Sequence, residues 1–342
     1  MDIPIQNIYY LLCYAWDKLE EAEPVSVDSD TEHQLLNLFA KVLSERLKWL
    51  LKKGLDRSYI PIEEEIFGIK GKLDFSKTIK NNSLRKHHTV CEFDDFQFDI
   101  LSNRIIKNTL SKLLKTENID SRIIEDVFMV FHKLPDISDY QFRLSDFDKV
   151  RIHRNNYHYD FILKICRIIQ ENLLINEKSG KYRFFDFVRD EKAMARLFEA
   201  FVRNFYRNET NFNVESKQIK WQFTNVLENT ESFLPLMKTD ITINAPDWKL
   251  IIDTKYYKDA FKLSYDKPKF DSGNLYQLFA YLINQEDGTT YTKTCLGMLL
   301  YPSTKDYQDA EMWYQEHKIR ISFVNLNQDW RLIKDSLLKL LK

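Results

Sequence analysis

The chain reads as an α/β protein in two parts. An N-terminal α+β part, residues 1–176, contains a small antiparallel sheet or barrel, and a C-terminal α/β part spans 181–342. Three observations predict this. The 342 residues suffice for about two domains at roughly 150 residues each. The apolar residues change period along the chain, from helical spacing to strand alternation and back. EKSGK, at 177–181, holds the only glycine between 72 and 272, which marks a boundary.

Each element follows from local pattern. Residues 5–20 carry Ile8, Leu11, Leu12, Ala15 and Leu19 on one helical face. A polar loop at 24–31 ends in Thr31, whose partner Gln34 completes a capping box. The helix that follows, 32–53, has the stripe Leu35, Leu36, Phe39, Val42, Leu43, Leu47 and Leu50, and stops at Gly54. Residues 57–100 alternate apolar and polar side chains and are rich in β-branched and aromatic types, which predicts the small sheet or barrel. Helices resume at 101–116 and 120–133, and 134–154 is irregular before a helix at 155–176. In the second part a helix covers 189–208, with Met194, Leu197, Phe198, Phe201, Val202 and Phe205 as its stripe. Strands are predicted at 213–222, 234–243, 248–255, 295–301 and 319–325, and helices at 273–285 and 328–341. Strands interleaved with helices predict α/β architecture.

Composition excludes several function classes. Lys plus Arg is 50 and Asp plus Glu 51, a net charge of −1, so the chain is not a uniformly basic nucleic-acid coat. Only seven glycines are present, with neither G-x-x-x-x-G-K-[ST] nor G-x-G-x-x-G, so no nucleotide is expected to bind this chain alone through such loops. Cys13, Cys91, Cys166 and Cys295 form no C-x-x-C pair, which predicts reduced, buried thiols in a cytoplasmic protein. The start MDIPIQNIYY does not read as a signal peptide, and no apolar run approaches membrane-spanning length. The seven histidines show no metal spacing.

The informative stretch is LPLMKTDITINAPDWKLIIDTKYYK, 234–258. Asp240 sits in one predicted strand, and Asp253 and Lys255 close the next after a turn at Asn244–Asp247. Side chains alternate along a strand, so Asp253 and Lys255 share a face, while Leu250, Ile252 and Thr254 take the other. A hairpin brings Asp240 near Asp253. Two carboxylates beside an ammonium suit magnesium, which takes hard oxygen ligands, keeps waters and binds substrate phosphate. An ordinary hairpin with a surface Asp–Lys pair would give the same spacing. Glu199 stands beside the apolar stripe of the preceding helix, and Gln277 and Tyr281 share a face of the following one at i, i+4.

A helix with Glu199, a strand with Asp240, a strand ending Asp253-Thr254-Lys255 and a helix with Gln277 together resemble the PD-(D/E)XK restriction-endonuclease-like core, with Thr239 where the label has proline. IPIQNIYYLLCYAW (3–16), GKLDFSKTI (71–79), FDDFQFDILSNRIIKNTL (93–110), MARLFEAFV (194–202), MKTDITI (237–243), DTKYYK (253–258) and NLYQLFAYL (274–282) resemble, in order, the McrC family, the endonuclease subunits of McrBC modification-dependent restriction systems. The resemblance implies Asp240 and Asp253 as Mg2+ ligands, Lys255 as the catalytic lysine, and Glu199 and Gln277 as supporting catalytic positions. It also implies a McrB-like AAA+ GTPase hexamer as partner, docked by the N-terminal part, and DNA as substrate.

Residues 248–270 carry lysines 249, 255, 258, 262, 267 and 269 against aspartates 253, 259 and 266, a local excess of positive charge interleaved with tyrosines. Lys258, Lys262 and Tyr256 are therefore expected DNA-binding residues, and Tyr281, on the helix face it shares with Gln277, is expected to reach the site or the DNA backbone. Arg85-Lys86-His87-His88 is a second short basic run, and Arg104, Arg151 and Arg154 are candidate partner contacts. Two rival readings share this frame: a catalytically inactive adapter that activates the motor, and a stand-alone repair nuclease.

Overall fold

The structure, a computed structural model, describes residues 3–18, 34–141, 143–175, 181–224, 230–257, 262–264 and 267–341. The chain divides into two compact units. One comprises Met1–Ser26 with Asp186–Lys342, the other Val27–Phe185.

The first helix, α1 (Ile5–Ala15), thus belongs with the C-terminal elements, whereas sequence patterning grouped it with 1–176. Periodicity shows that a helix has an apolar face, not which distant segment covers it. Here the cover is α7 (Glu191–Glu209). The Tyr14 ring packs on Phe201 and Phe205, with centroids 5.6 and 5.3 Å away. The Tyr14 hydroxyl donates to Glu209 Oε1 at 2.6 Å, and Lys334 pairs with Glu209 Oε2 at 2.5 Å. Asn204 Nδ2 caps the carbonyls of Tyr14 and Ala15 at 3.0 Å each. At the other end, Asn7 Nδ2 donates to the carbonyls of Leu326 and Gln328 at 2.7 and 2.8 Å.

In the unit Val27–Phe185, α2 (Gln34–Lys53) buries all seven residues of its predicted stripe. Thr31, the expected cap, lies outside the described residues. Strand β1 (Ser58–Phe67) pairs antiparallel with β3 (His88–Gln97) from Ser58↔Gln97 to Phe67↔His88. The short β2 (Lys72–Leu73) takes the other edge of β3. Three strands are too few to close, so the result is an open sheet and not a barrel. Gly71 sits at φ +71°, and a Cβ there would come within 2.4 Å of the Glu92 carbonyl oxygen, so only glycine lets the chain pass this close to β3. Helix α3 (Phe75–Lys80), not expected from sequence, is capped by Asp74, which accepts from Lys77 N at 3.0 Å. Helices α4 (Leu101–Leu113), α5 (Ser121–His132) and α6 (His158–Asn172) complete this core with Ile105, Leu110, Val127, Ile165 and Cys166. Arg104, a candidate partner contact, instead forms a two-pronged pair with Asp99 at 2.7 and 2.8 Å. That pair and Ser138 hold the Asp99 carboxyl down at about 2. Helix α6 ends earlier than predicted, because β4 (Leu173–Ile175) turns back onto β5 (Tyr182–Phe184). The unit therefore ends at Phe185 and not at 177–181, most of which lies outside the described residues.

The other unit is built on a six-stranded mixed sheet of order β14-β15-β13-β10-β9-β6. Its strands are β6 (Asn213–Glu215), β9 (Ile241–Asn244), β10 (Lys249–Thr254), β13 (Leu296–Ser303), β14 (Ala310–Tyr314) and β15 (His317–Asn325). β10, β13 and β15 run parallel, and β9, β6 and β14 join antiparallel. Two ribbons lie beside it: β7 (Gln218–Ile219) with β8 (Met237–Lys238), and β11 (Lys262–Ser264) with β12 (Lys267–Lys269). Helices α8 (Ser272–Asn284), α9 (Thr290–Lys293) and α10 (Trp330–Lys339) complete it. Between β10 and β13 the chain crosses over through α8, whose Leu278, Tyr281 and Leu282 pack on Ile251, Leu299, Ile319 and Ile321. A Cβ on Gly297 would lie 2.8 Å from Leu282 Cδ1, so this glycine lets α8 sit close on β13. All four cysteines are buried, and none forms a disulfide. Among the described residues, no helix is long and apolar enough to cross a membrane.

Candidate functional site

The site forms at the carboxyl end of β10, where central parallel strands leave a crevice for ligands. β10 is buried along nearly its whole length, as its sequence KLIIDT demands, so Asp253 arrives there inside an apolar strand and is 0 % exposed. Ile251 pairs with Gly297 under α8, and alternation puts Asp253 and Lys255 on that same α8 face.

Asp240 approaches from the neighbouring strand. The β9–β10 register matches Ile241 with Ile252, and one further step sets Asp240 across from Asp253. The expected single strand 234–243 is interrupted there: β8 pairs with β7, β9 pairs with β10, and Asp240 occupies the break. Its carboxylate is aimed by Thr254, which donates to Oδ2 from its backbone N at 2.8 Å and from Oγ1 at 2.9 Å. The other oxygen accepts no hydrogen bond among the described residues and stays available.

Asp253 is answered only by charge. Neither carboxylate oxygen accepts a well-directed hydrogen bond, and the Lys255 ammonium lies 2.7 Å from Oδ2. Burial pushes this acid up to about 6, Lys255 pulls it back, and Asp240 and Glu199 push it further. Such orphaned, buried oxygens are costly for a fold and are what a bound cation would satisfy. Among the described residues no group of three or more His, Cys, Asp and Glu side chains is arranged to hold a metal. Asp240 and Asp253 are the two carboxylates here that could take a hard cation, which would complete its shell with water and phosphate.

Lys255 is held by a relay. Its Nζ donates to Gln277 Oε1 at 2.9 Å. Gln277 Nε2 donates to the Tyr281 hydroxyl at 2.7 Å, and that hydroxyl donates to the Lys238 carbonyl at 2.8 Å. A carbonyl can only accept, so the Tyr281 oxygen must accept from the amide nitrogen, which turns the amide oxygen toward the lysine. Burial raises Tyr281 to about 12, so its proton stays in place at neutral pH. Glu199, on α7, accepts from Arg203 at 2.7 Å, and the same guanidinium reaches the Asp240 carbonyl at 3.5 Å.

The structure therefore brings together Asp240, Asp253, Lys255, Gln277 and Glu199. It moves two of the expected DNA contacts inward. Tyr256 is only 6 % exposed and Tyr281 4 %, and the latter serves the relay instead of a surface. Lys258 lies outside the described residues, and Lys262 is described by its backbone alone, in β11 opposite Lys269. Sequence reasoning missed Thr254 and Arg203. The signal for Arg203 was its i, i+4 spacing from Glu199; for Thr254 it was a hydroxyl between two candidate catalytic residues.

A family model described as McrBC 5-methylcytosine restriction system component matches residues 6–302. The Escherichia coli (strain K12) protein "Type IV methyl-directed restriction enzyme EcoKMcrBC" is 36 % identical over 339 residues, covering 98 % of this chain and 96 % of that protein. Among solved structures, a chain of the refined half-complex from the tetradecameric assembly of Thermococcus gammatolerans McrB AAA+ hexamers with bound McrC superposes with a TM-score of 0.62. That match is 17 % identical and covers 98 % of this chain and 76 % of that one, which shows a shared fold.

Proposed function

The chain belongs to the McrC family of the McrBC 5-methylcytosine restriction system, and we propose that it is the DNA-cutting subunit, a magnesium-dependent PD-(D/E)XK endonuclease acting in the cytoplasm. One observation carries this reading: a fully buried Asp253 whose close partner is the Lys255 ammonium, coupled to Asp240. A purely structural strand would gain nothing from that arrangement.

Asp240 and Asp253 would hold magnesium through the oxygens that the protein leaves unanswered. Magnesium, when bound, supplies the Lewis-acid charge that phosphodiester hydrolysis requires. Lys255, fixed by Gln277 and Tyr281, offsets the negative charge that builds on the phosphate as water attacks. Thr254 keeps Asp240 turned for its task, and Glu199 adds negative charge that favours a cation. The partner is a McrB-like AAA+ GTPase hexamer; the matched Thermococcus gammatolerans assembly consists of McrB AAA+ hexamers with bound McrC. Its docking falls to the unit Val27–Phe185, because α1, expected to share that role, is committed to the nuclease unit.

Asp253→Ala is expected to abolish magnesium-dependent cleavage of methylated DNA by the chain with its GTPase partner, while GTPase stimulation persists. Cleavage at the wild-type rate by that variant overturns the site.

A further inference from the structure

We infer that the β7–β8 ribbon is a binding surface for the DNA backbone, with Lys238 gripping a phosphate beside the one that is cut. The inference rests on the nuclease reading above.

The ribbon carries Lys217, Lys220 and Lys238, all exposed, and none has a carboxylate partner among the described residues. Residues 216–224 contain no acid. The pairing Gln218↔Lys238 sets Lys238 and, two residues along from Gln218, Lys220 on one face. The opposite face is held down by buried Ile219 and Met237, which pack with Leu278 and Tyr281. The lysine face is therefore presented outward by a fixed strand pair.

Its place relative to the site is set by the short run from exposed Lys238 through buried Thr239 to half-buried Asp240. Thr239 N donates to the Lys217 carbonyl at 2.9 Å, and the chain then bends at Asp240 before β9 begins. Lys238 stands two residues before Asp240, so their backbones lie within about 7 Å of each other at roughly 3.3 Å per residue. That is the scale of one step along a nucleic-acid backbone. The Lys238 carbonyl also accepts from Tyr281, the far end of the relay that holds Lys255. The residue that would grip a neighbouring phosphate is thus bonded into the catalytic lysine's support. Exposed lysines without a carboxylate partner among the described residues bind phosphates without reading sequence, which suits a nuclease whose target is chosen elsewhere.

The test uses the full chain, a short fluorescent duplex of random sequence and no divalent metal, with affinity measured against salt concentration. Lys220→Gln combined with Lys238→Gln is expected to weaken binding by at least tenfold at low salt and to reduce the magnitude of the log–log salt slope by about two. The corresponding arginine pair is expected to restore both. Unchanged affinity and slope in the glutamine pair, with Asp253→Ala still abolishing cleavage, overturns the ribbon and leaves the nuclease reading standing. A wild-type chain that neither binds DNA nor cuts it with its partner overturns both.

Discussion

Strands β1 and β3 in one unit and β10 in the other all carry acids, and they treat them in opposite ways. In β1, Glu63, Glu64 and Glu65 are exposed, and Lys77 pairs with Glu63 across the sheet. Lys72 pairs with Glu92 at 3.4 Å and Lys70 with Asp95 at 3.9 Å. Water and neighbouring ammonium groups satisfy these acids, and exposed pairs of this kind contribute little. In β10 a single aspartate is wholly buried, accepts no directed hydrogen bond, and repels two other acids. The contrast teaches that charge density does not locate chemistry in this molecule; unsatisfied charge does.

The sharpest way to break the comparison is Asp253→Asn. Removal of one preorganised charged group typically costs about 10²–10³-fold in rate, and loss of a metal ligand should cost at least that much in a cleavage assay. The same substitution should stabilise the fold. Folding raises this pKa from 3.8 to about 6, so the folded state binds the proton more tightly than the unfolded one. The favourable contribution is complete below about pH 4 and lost as pH rises through about 6, roughly 3 kcal/mol in all. Asp253→Asn should therefore melt at a higher temperature than wild type at pH 8 without metal, and the gap should close toward pH 4. A lower melting temperature at pH 8 would remove the claim that this carboxylate is unsatisfied. Magnesium binding, followed by calorimetry, should in turn weaken about tenfold per pH unit below about 6, because the proton and the cation compete for one carboxylate.

Smaller effects sharpen the comparison. Thr254→Val removes one of two donors to Asp240 at a cost of about 0.5–1.5 kcal/mol in orienting it. Magnesium affinity should fall by several-fold while the melting temperature barely moves; unchanged affinity would show that Asp240 needs no such aim. The smallest effect is expected at Lys72→Ala, which should leave the melting temperature unaltered.

Much of this was legible beforehand. Asp240, Asp253 and Lys255 could be placed together because strand alternation and a short turn are local rules, and the helical stripes of α2 and α7 needed only periodicity. Three things needed the third dimension. The docking of α1 on α7 joins segments that no local pattern connects. The split of 234–243 into β8 and β9 depends on which neighbours each half finds. Tyr256 looked like a surface aromatic among lysines and Tyr281 like a DNA contact beside Gln277, yet one fills a core and the other steers an amide.

The partnership of α1 with residues far down the chain has a consequence for how the protein is made. Tyr14 waits for Glu209, 195 positions later, and Asn7 for the carbonyl of Gln328, 321 positions later. At roughly 5–20 residues per second on the ribosome, the helix emerges tens of seconds before its seat exists. Meanwhile the 159 residues of Val27–Phe185 form a compact unit of their own, whose chain is complete once Phe185 has emerged. Synthesis thus delivers the unit Val27–Phe185 first and completes the unit that bears the carboxylates last. A chain cut short before Leu326 leaves Asn7 without either of its carbonyl acceptors.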